Sequence, residues 1–181
     1  EGIYYSLDGS AWTKWITSAS TPVMPDGNYT SFAVMTVGEN SKIDIEHLNA
    51  IKNKNTQVIN LGNAKYSKTY MPNNLFENCT ALRSFTFPPN INPLPAYFFK
   101  NCSNLTHVVL PDGLTSISAG GFQFCTGLTN LVLPESVKSF GILAFDGCTN
   151  LETINIPVGA QTFDRLVFRD CKKHRPAADL I

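Results

Sequence analysis

Five cysteines, Cys79, Cys102, Cys125, Cys148 and Cys171, each stand 23 residues after the one before. Four equal intervals restrict the fold severely: the chain must be built of like units laid side by side along an axis. Other columns keep the same interval. Phenylalanine precedes each cysteine by three residues, at Phe76, Phe99, Phe122, Phe145 and Phe168, and leucine follows the first four by three, at Leu82, Leu105, Leu128 and Leu151. Paired apolar positions come next, Phe85/Phe87, Val108/Leu110, Leu131/Leu133 and Ile154/Ile156, each pair closed by a proline at 88, 111, 134 or 157. A further apolar column occupies Leu94, Ile117, Phe140 and Phe163.

Each column has a physical reading. The alternating pair points one way and the residue between it the other, as in a strand. Proline supplies no backbone donor, so it ends the ladder at a fixed place in every unit. The short stretch from phenylalanine to cysteine is too brief for a free-standing helix and is expected to form about one helical or 3₁₀ turn that drops the phenylalanine into the core. A unit of this size cannot bury its apolar face alone, so stacked units share one core. The period and the leucine pattern are those of a leucine-rich-repeat solenoid, an α/β repeat fold rich in strand. In such a stack the cysteine column reads as a small, weakly polar filler. Neighbouring coils lie about 4.8 Å apart, within the Cα range of a disulfide, but side chains aimed in parallel are badly placed for one, and an odd count forbids complete pairing.

The units "GGFQFCTGLTNLVLPESVKSFG" and "LAFDGCTNLETINIPVGAQTF" resemble those of the BspA-like leucine-rich-repeat family. The resemblance covers about residues 71–171. A weaker upstream unit, "TQVINLGNAKYSKTYMPNNLF", is similar to that family's irregular first coil; its Ile59 and Leu61 precede Phe85 and Phe87 by 26 residues, a three-residue insertion. The resemblance implies a bacterial secreted or surface-attached protein, extracellular in location, engaged in adhesion or protein recognition, often toward host extracellular-matrix proteins.

Around the repeats, four regions are expected: a small β-rich piece at 1–42, a capping helix and irregular coil at 43–70, the solenoid at 71–171, and a tail or incomplete cap at 172–181. Asp44 is the candidate N-cap of a short amphipathic helix with Ile45, Leu48 and Ile51 on one face. The first 40 residues read as strands around turns at Asp8-Gly9 and Asp26-Gly27, a cap extension or part of a neighbouring domain. At the far end the leucine column is broken by His174. The chain opens at Glu1 without a basic-then-apolar leader and is read as a mature or trimmed fragment.

Chemistry is sparse. His47, His107 and His174 lie in different elements, and no phosphate loop, dinucleotide loop, zinc motif or calcium loop occurs. No catalytic residue, cofactor or metal is therefore expected. Lys and Arg number 14 against 14 Asp and Glu, which gives nucleic acid no basic surface to neutralise. No apolar run approaches the roughly 20 residues that direct membrane insertion by a helix requires. Acceptor motifs for N-glycosylation at Asn28, Asn78, Asn101 and Asn104 would matter only in a eukaryotic secretory pathway.

What remains is surface. The outward strand positions form two rows, Ser84, His107, Asn130 and Thr153, and Thr86, Val109, Val132 and Asn155, on the face that solenoids present as a concave binding surface. These eight residues are the candidate partner-binding site, although small uncharged side chains lack the aromatic and arginine anchors that usually carry binding energy. The expected function is a non-catalytic recognition or adhesion module. A structural spacer displaying another domain is the alternative. A glycan-acting enzyme ranks last: "YSLDGSAWTKW" is only faintly similar to an Asp-box turn, and an ordinary hairpin explains it. Oligomeric state stays open.

Overall fold

The computed structural model describes residues 2–7, 11–15, 17–18, 21–22, 29–52 and 55–173. The turns at Asp8-Gly9 and Asp26-Gly27, the Asn28 acceptor, His174 and most of the expected tail fall outside these residues.

Strands β1 (Gly2–Ser6), β2 (Thr13–Lys14), β3 (Thr17–Ser18), β4 (Thr21–Pro22) and β5 (Ser31–Val37) precede helix α1 (Ile45–Ile51). After it come β6 (Val58–Asn63), β7 (Ser84–Thr86), β8 (His107–Val109), β9 (Ser116–Ile117), β10 (Asn130–Leu131), β11 (Ser139–Phe140), β12 (Thr153–Ile154) and β13 (Thr162–Phe163). The principal sheet runs β2-β1-β5-β6-β7-β8. Its solenoid part is parallel and pairs like with like: Ile59 faces Phe85, and Phe85 faces Val108. The sheet does not stop at residue 42, because β5 pairs in parallel with β6 and antiparallel with β1.

The column six residues beyond each proline builds a second wall. There β9, β11 and β13 form a parallel sheet with Ile117, Phe140 and Phe163 in register, and Leu94 extends the row by a bridge to Ile117.

The third wall departs from the expected helical turn. Bonds of 3₁₀ type are present, such as Cys79 N–H to the Phe76 carbonyl (3.2 Å). Two positions per coil, however, take left-handed backbone. One column is Asn74, Tyr97, Gly120, Leu143 and Leu166, and the other Asn78, Asn101, Phe124, Gly147 and Asp170, with φ between 54° and 69°. Such reversals break a helix and turn alternate N–H groups toward the neighbouring coil. Phe99, for example, donates to the Gly121 carbonyl (3.0 Å) and Asn101 to that of Gln123 (2.9 Å). The turn wall is thus stitched between coils, which satisfies donors that so short a helix would have left free.

Inside, Phe76, Phe99, Phe122 and Phe145 are buried in one stack, with ring centroids 5.5 Å apart from Phe99 to Phe122 and 5.3 Å from Phe122 to Phe145. The cysteines are free thiols. Each of Cys102, Cys125, Cys148 and Cys171 donates its Sγ hydrogen to the carbonyl of a phenylalanine one coil back, Phe76, Phe99, Phe122 and Phe145, at 3.0–3.1 Å. A small side chain with one weak donor fits that place, which neither alanine nor valine would satisfy.

Helix α1 begins as expected. The Asp44 carboxylate accepts from the N–H groups of Glu46 (3.0 Å) and His47 (3.3 Å), and its Oδ1 lies 2.7 Å from His47 Nδ1. The helix buries His47, Leu48 and Ile51, and Trp15 packs edge-on against the His47 ring.

Candidate partner-binding face

Strand register places six of the eight face residues side by side. Ser84 lies opposite His107 and Thr86 opposite Val109; farther along, Asn130 lies opposite Thr153. The rows also continue where sequence reasoning did not take them: Val58 lies opposite Ser84 and Asn60 opposite Thr86, and Ser31 and Ala33 lie beyond those. The 26-residue offset of Ile59 from Phe85 already contained that extension.

Hydroxyl and amide side chains fix one another across the face. Thr106 Oγ1 donates to the Arg83 carbonyl (3.1 Å) and lies 2.9 Å from His107 Nδ1. Thr153 Oγ1 donates to Asn130 Oδ1, and Asn130 Nδ2 donates to Thr129 Oγ1 (3.1 Å). Among the described residues the row positions carry no charge apart from His107 when protonated.

The rows are interrupted once. Strand β8 is the last of the principal sheet, and β10 pairs only with β12 in a separate two-stranded sheet. His107 N–H donates to the Arg83 carbonyl (3.1 Å) and Thr153 N–H to that of Thr129 (3.2 Å), whereas the corresponding bond from Asn130 to Thr106 is absent. The other two walls remain joined at this level, by Phe99 to Gly121 and by β9 to β11. The parted seam forms an open cleft of about 510 Å³. Four of the eight candidate residues, His107, Val109, Asn130 and Val132, line it, together with the buried Leu110 and Leu133. Two exposed valines stand at it, Val109 at 58% and Val132 at 76%, and Asp112 also lines it. Ser84 and Thr86 lie on one side of the cleft and Thr153 and Asn155 on the other.

Asn155 does more than occupy the surface. Its Oδ1 accepts from the Leu133 N–H (2.7 Å) and its Nδ2 donates to the Leu133 carbonyl (2.9 Å). A row position read as outward-facing is thus spent on closing the ladder. Leu110 was legible in sequence only as a core residue, and the amide gap beside it was not.

Other polar groups have structural partners. Cys102 and His107 do not form a dyad: the thiol is bonded to the Phe76 carbonyl in the core, and His107 is exposed beside Thr106. Burial raises the pKa of Cys79, Cys102 and Cys125 above the ordinary thiol value, which keeps them protonated. No group of three or more potential metal ligands comes together among the described residues.

Residues 45–175 match the BspA type leucine rich repeat region, in six copies. No curated protein matches the chain. Among solved structures, the fold is similar to a leucine rich repeat protein of T. pallidum, with TM-score 0.58 and 20% identity over 80% of this chain and 62% of that one. A leucine rich cell surface protein of Faecalibacterium prausnitzii is similar at TM-score 0.58 and 19% identity, over 87% of this chain and 37% of that one. A leucine-rich repeat protein of Bacteroides ovatus follows at TM-score 0.51 and 18% identity, over 96% and 44%. The chain therefore spans less than two thirds of the length of each. At these identities the likeness concerns the fold, and it is the six matched copies over more than half the sequence that place this chain in the BspA type leucine-rich-repeat family.

Proposed function

We propose that this chain is a non-catalytic recognition module of a secreted or cell-surface protein, and that it engages an extracellular-matrix or other surface protein through the outward face of its principal sheet. The observation that carries the reading is the parted seam: two exposed valines flank an open cleft whose polar lining is Thr106, His107, Asp112, Thr129 and Asn130. Clustered apolar exposure beside polar rows is what a protein-binding surface requires. The cell-surface description of the Faecalibacterium prausnitzii relative supports the location.

The test is direct binding of the purified chain to a panel of matrix proteins and glycans, beside a double variant, Asn130→Arg with Val132→Glu. Saturable binding to a panel protein, lost in the variant while its thermal unfolding is unchanged, is the expected result. Equal binding by both chains would remove the face from the account. No binding to any member would favour a spacer that displays another domain.

A further inference from the structure

Two asparagines in this molecule perform the same operation. Where the ladder between coils is interrupted, the side-chain carboxamide of a later residue takes both backbone groups of one residue in the preceding coil. Asn155 does so for Leu133, as described. Asn90 does so for Tyr66, accepting from its N–H (3.2 Å) and donating to its carbonyl (2.9 Å). The parted seam has no such carboxamide. One repeat before Leu133 stands Leu110, and one repeat before Asn155 stands Val132, which has no polar group to offer. Phe87, the same column one coil earlier, donates its N–H to the Val109 carbonyl (3.0 Å), whereas no hydrogen bond to either backbone group of Leu110 is found among the described residues. Leu110 is a buried residue that borders the cleft, and a backbone amide without a partner in such a place costs free energy.

We propose that the seam between β8 and β10 is a receptor for a carboxamide, an asparagine or glutamine side chain on an extended segment of the partner protein. It pairs with the N–H and carbonyl of Leu110, in the manner of Asn155 on Leu133. The neighbouring apolar side chains of that segment lie against Val109 and Val132. This proposal rests on the recognition reading above and names the partner's chemistry. A carboxylate cannot replace the carboxamide, since it offers no donor to the Leu110 carbonyl, and an aliphatic side chain offers neither group.

Amide hydrogen exchange resolved by residue tests the gap, and the peptides acetyl-Val-Asn-Val-amide, acetyl-Val-Asp-Val-amide and acetyl-Val-Leu-Val-amide test the ligand. In the free protein the Leu110 amide is expected to exchange about tenfold or more faster than that of Leu133. Val132→Asn, a change at an exposed position, should supply the missing carboxamide and slow Leu110 by about the same factor. Asn155→Ala should expose Leu133 and raise its rate toward that of Leu110. The asparagine peptide should produce saturable shifts of the Leu110 and Val132 resonances in the native chain and none in Val132→Asn, and the aspartate and leucine peptides should produce none in either.

Equal protection of Leu110 and Leu133 in the free protein would overturn the proposal. So would equal shifts with the leucine peptide, which carries the same main-chain amides, or shifts that persist in Val132→Asn. Peptide binding at Leu110 with no protein bound from the panel would leave the carboxamide receptor standing and refute the matrix-partner reading. Protein binding undiminished by Val132→Asn would do the opposite.

Discussion

At the scale of the residue, the thiols of Cys102, Cys125, Cys148 and Cys171 each close a hydrogen bond to the coil before, and a phenylalanine three residues earlier fills the space beside each. Both roles follow from position in a stack, where each column meets the same neighbours. Removing one ring should therefore leave a cavity bounded by its two neighbours, and Phe122→Ala is expected to lower stability by about 3–5 kcal/mol in urea unfolding. A loss below about 1 kcal/mol would contradict its burial. The cysteines give a second measurement. A thiol reagent should leave Cys102, Cys125 and Cys148 unmodified in the native protein and count five free thiols once the unreduced chain is unfolded, because burial both excludes the reagent and disfavours the thiolate. Two bridges and one thiol would refute that role.

At the scale of the element, the turn wall shows what the sequence does and does not display. Phe122, Cys125 and Leu128 are conspicuous because burial allows one residue type per column. The left-handed columns are not, because Tyr97, Phe124 and Leu143 carry none of the usual marks of positive φ, and asparagine, glycine or aspartate occupies only some of the equivalent places. The same wall explains its glycines. A methyl group on Gly147 would meet the Phe124 ring at 2.3 Å in a backbone with φ of 69°. Gly147→Ala should accordingly cost at least about 1–2 kcal/mol, with a fall in melting temperature as the readout. Asp146 is the wall's buried charge, fully enclosed and held by Arg169 Nε (2.7 Å) and Nη2 (2.8 Å) and by Gln123 Nε2 (2.9 Å). Burial opposes its ionisation, but Arg169 and Gln123 outweigh burial and hold the carboxyl below its ordinary value. A folded-state pKa below the unfolded one adds stability above the unfolded value, and that stability is lost as pH falls through the folded one. Arg169→Gln raises the folded-state value toward the unfolded one, so the variant should be less stable near neutral pH and lose less of its stability on acidification than the native chain, as urea midpoints measured between about pH 2 and 6 would show.

At the scale of the whole molecule, the columns establish a solenoid from residues 71–171 alone, whereas the continuation of its sheet into residues 2–37 depends on pairings made by strands outside the repeat. The seam escaped the sequence for a related reason. Val109 and Val132 look like ordinary strand residues, and what sets their coils apart is a bond not made. In a stack whose stability is a sum over neighbouring coils, that boundary is the weakest link on the face. It is open on one wall only, with the turn wall and the second sheet intact behind it. With two walls joined behind a parted third, a group wedged into the opening, or a carboxamide drawing it shut, should change the angle between the coils on its two sides, as with a hinged book. A contact a few ångströms across would be read out as a bend of the whole array, and small-angle X-ray scattering of the native chain and Val132→Asn should differ in maximum dimension while their spectroscopic secondary structure agrees.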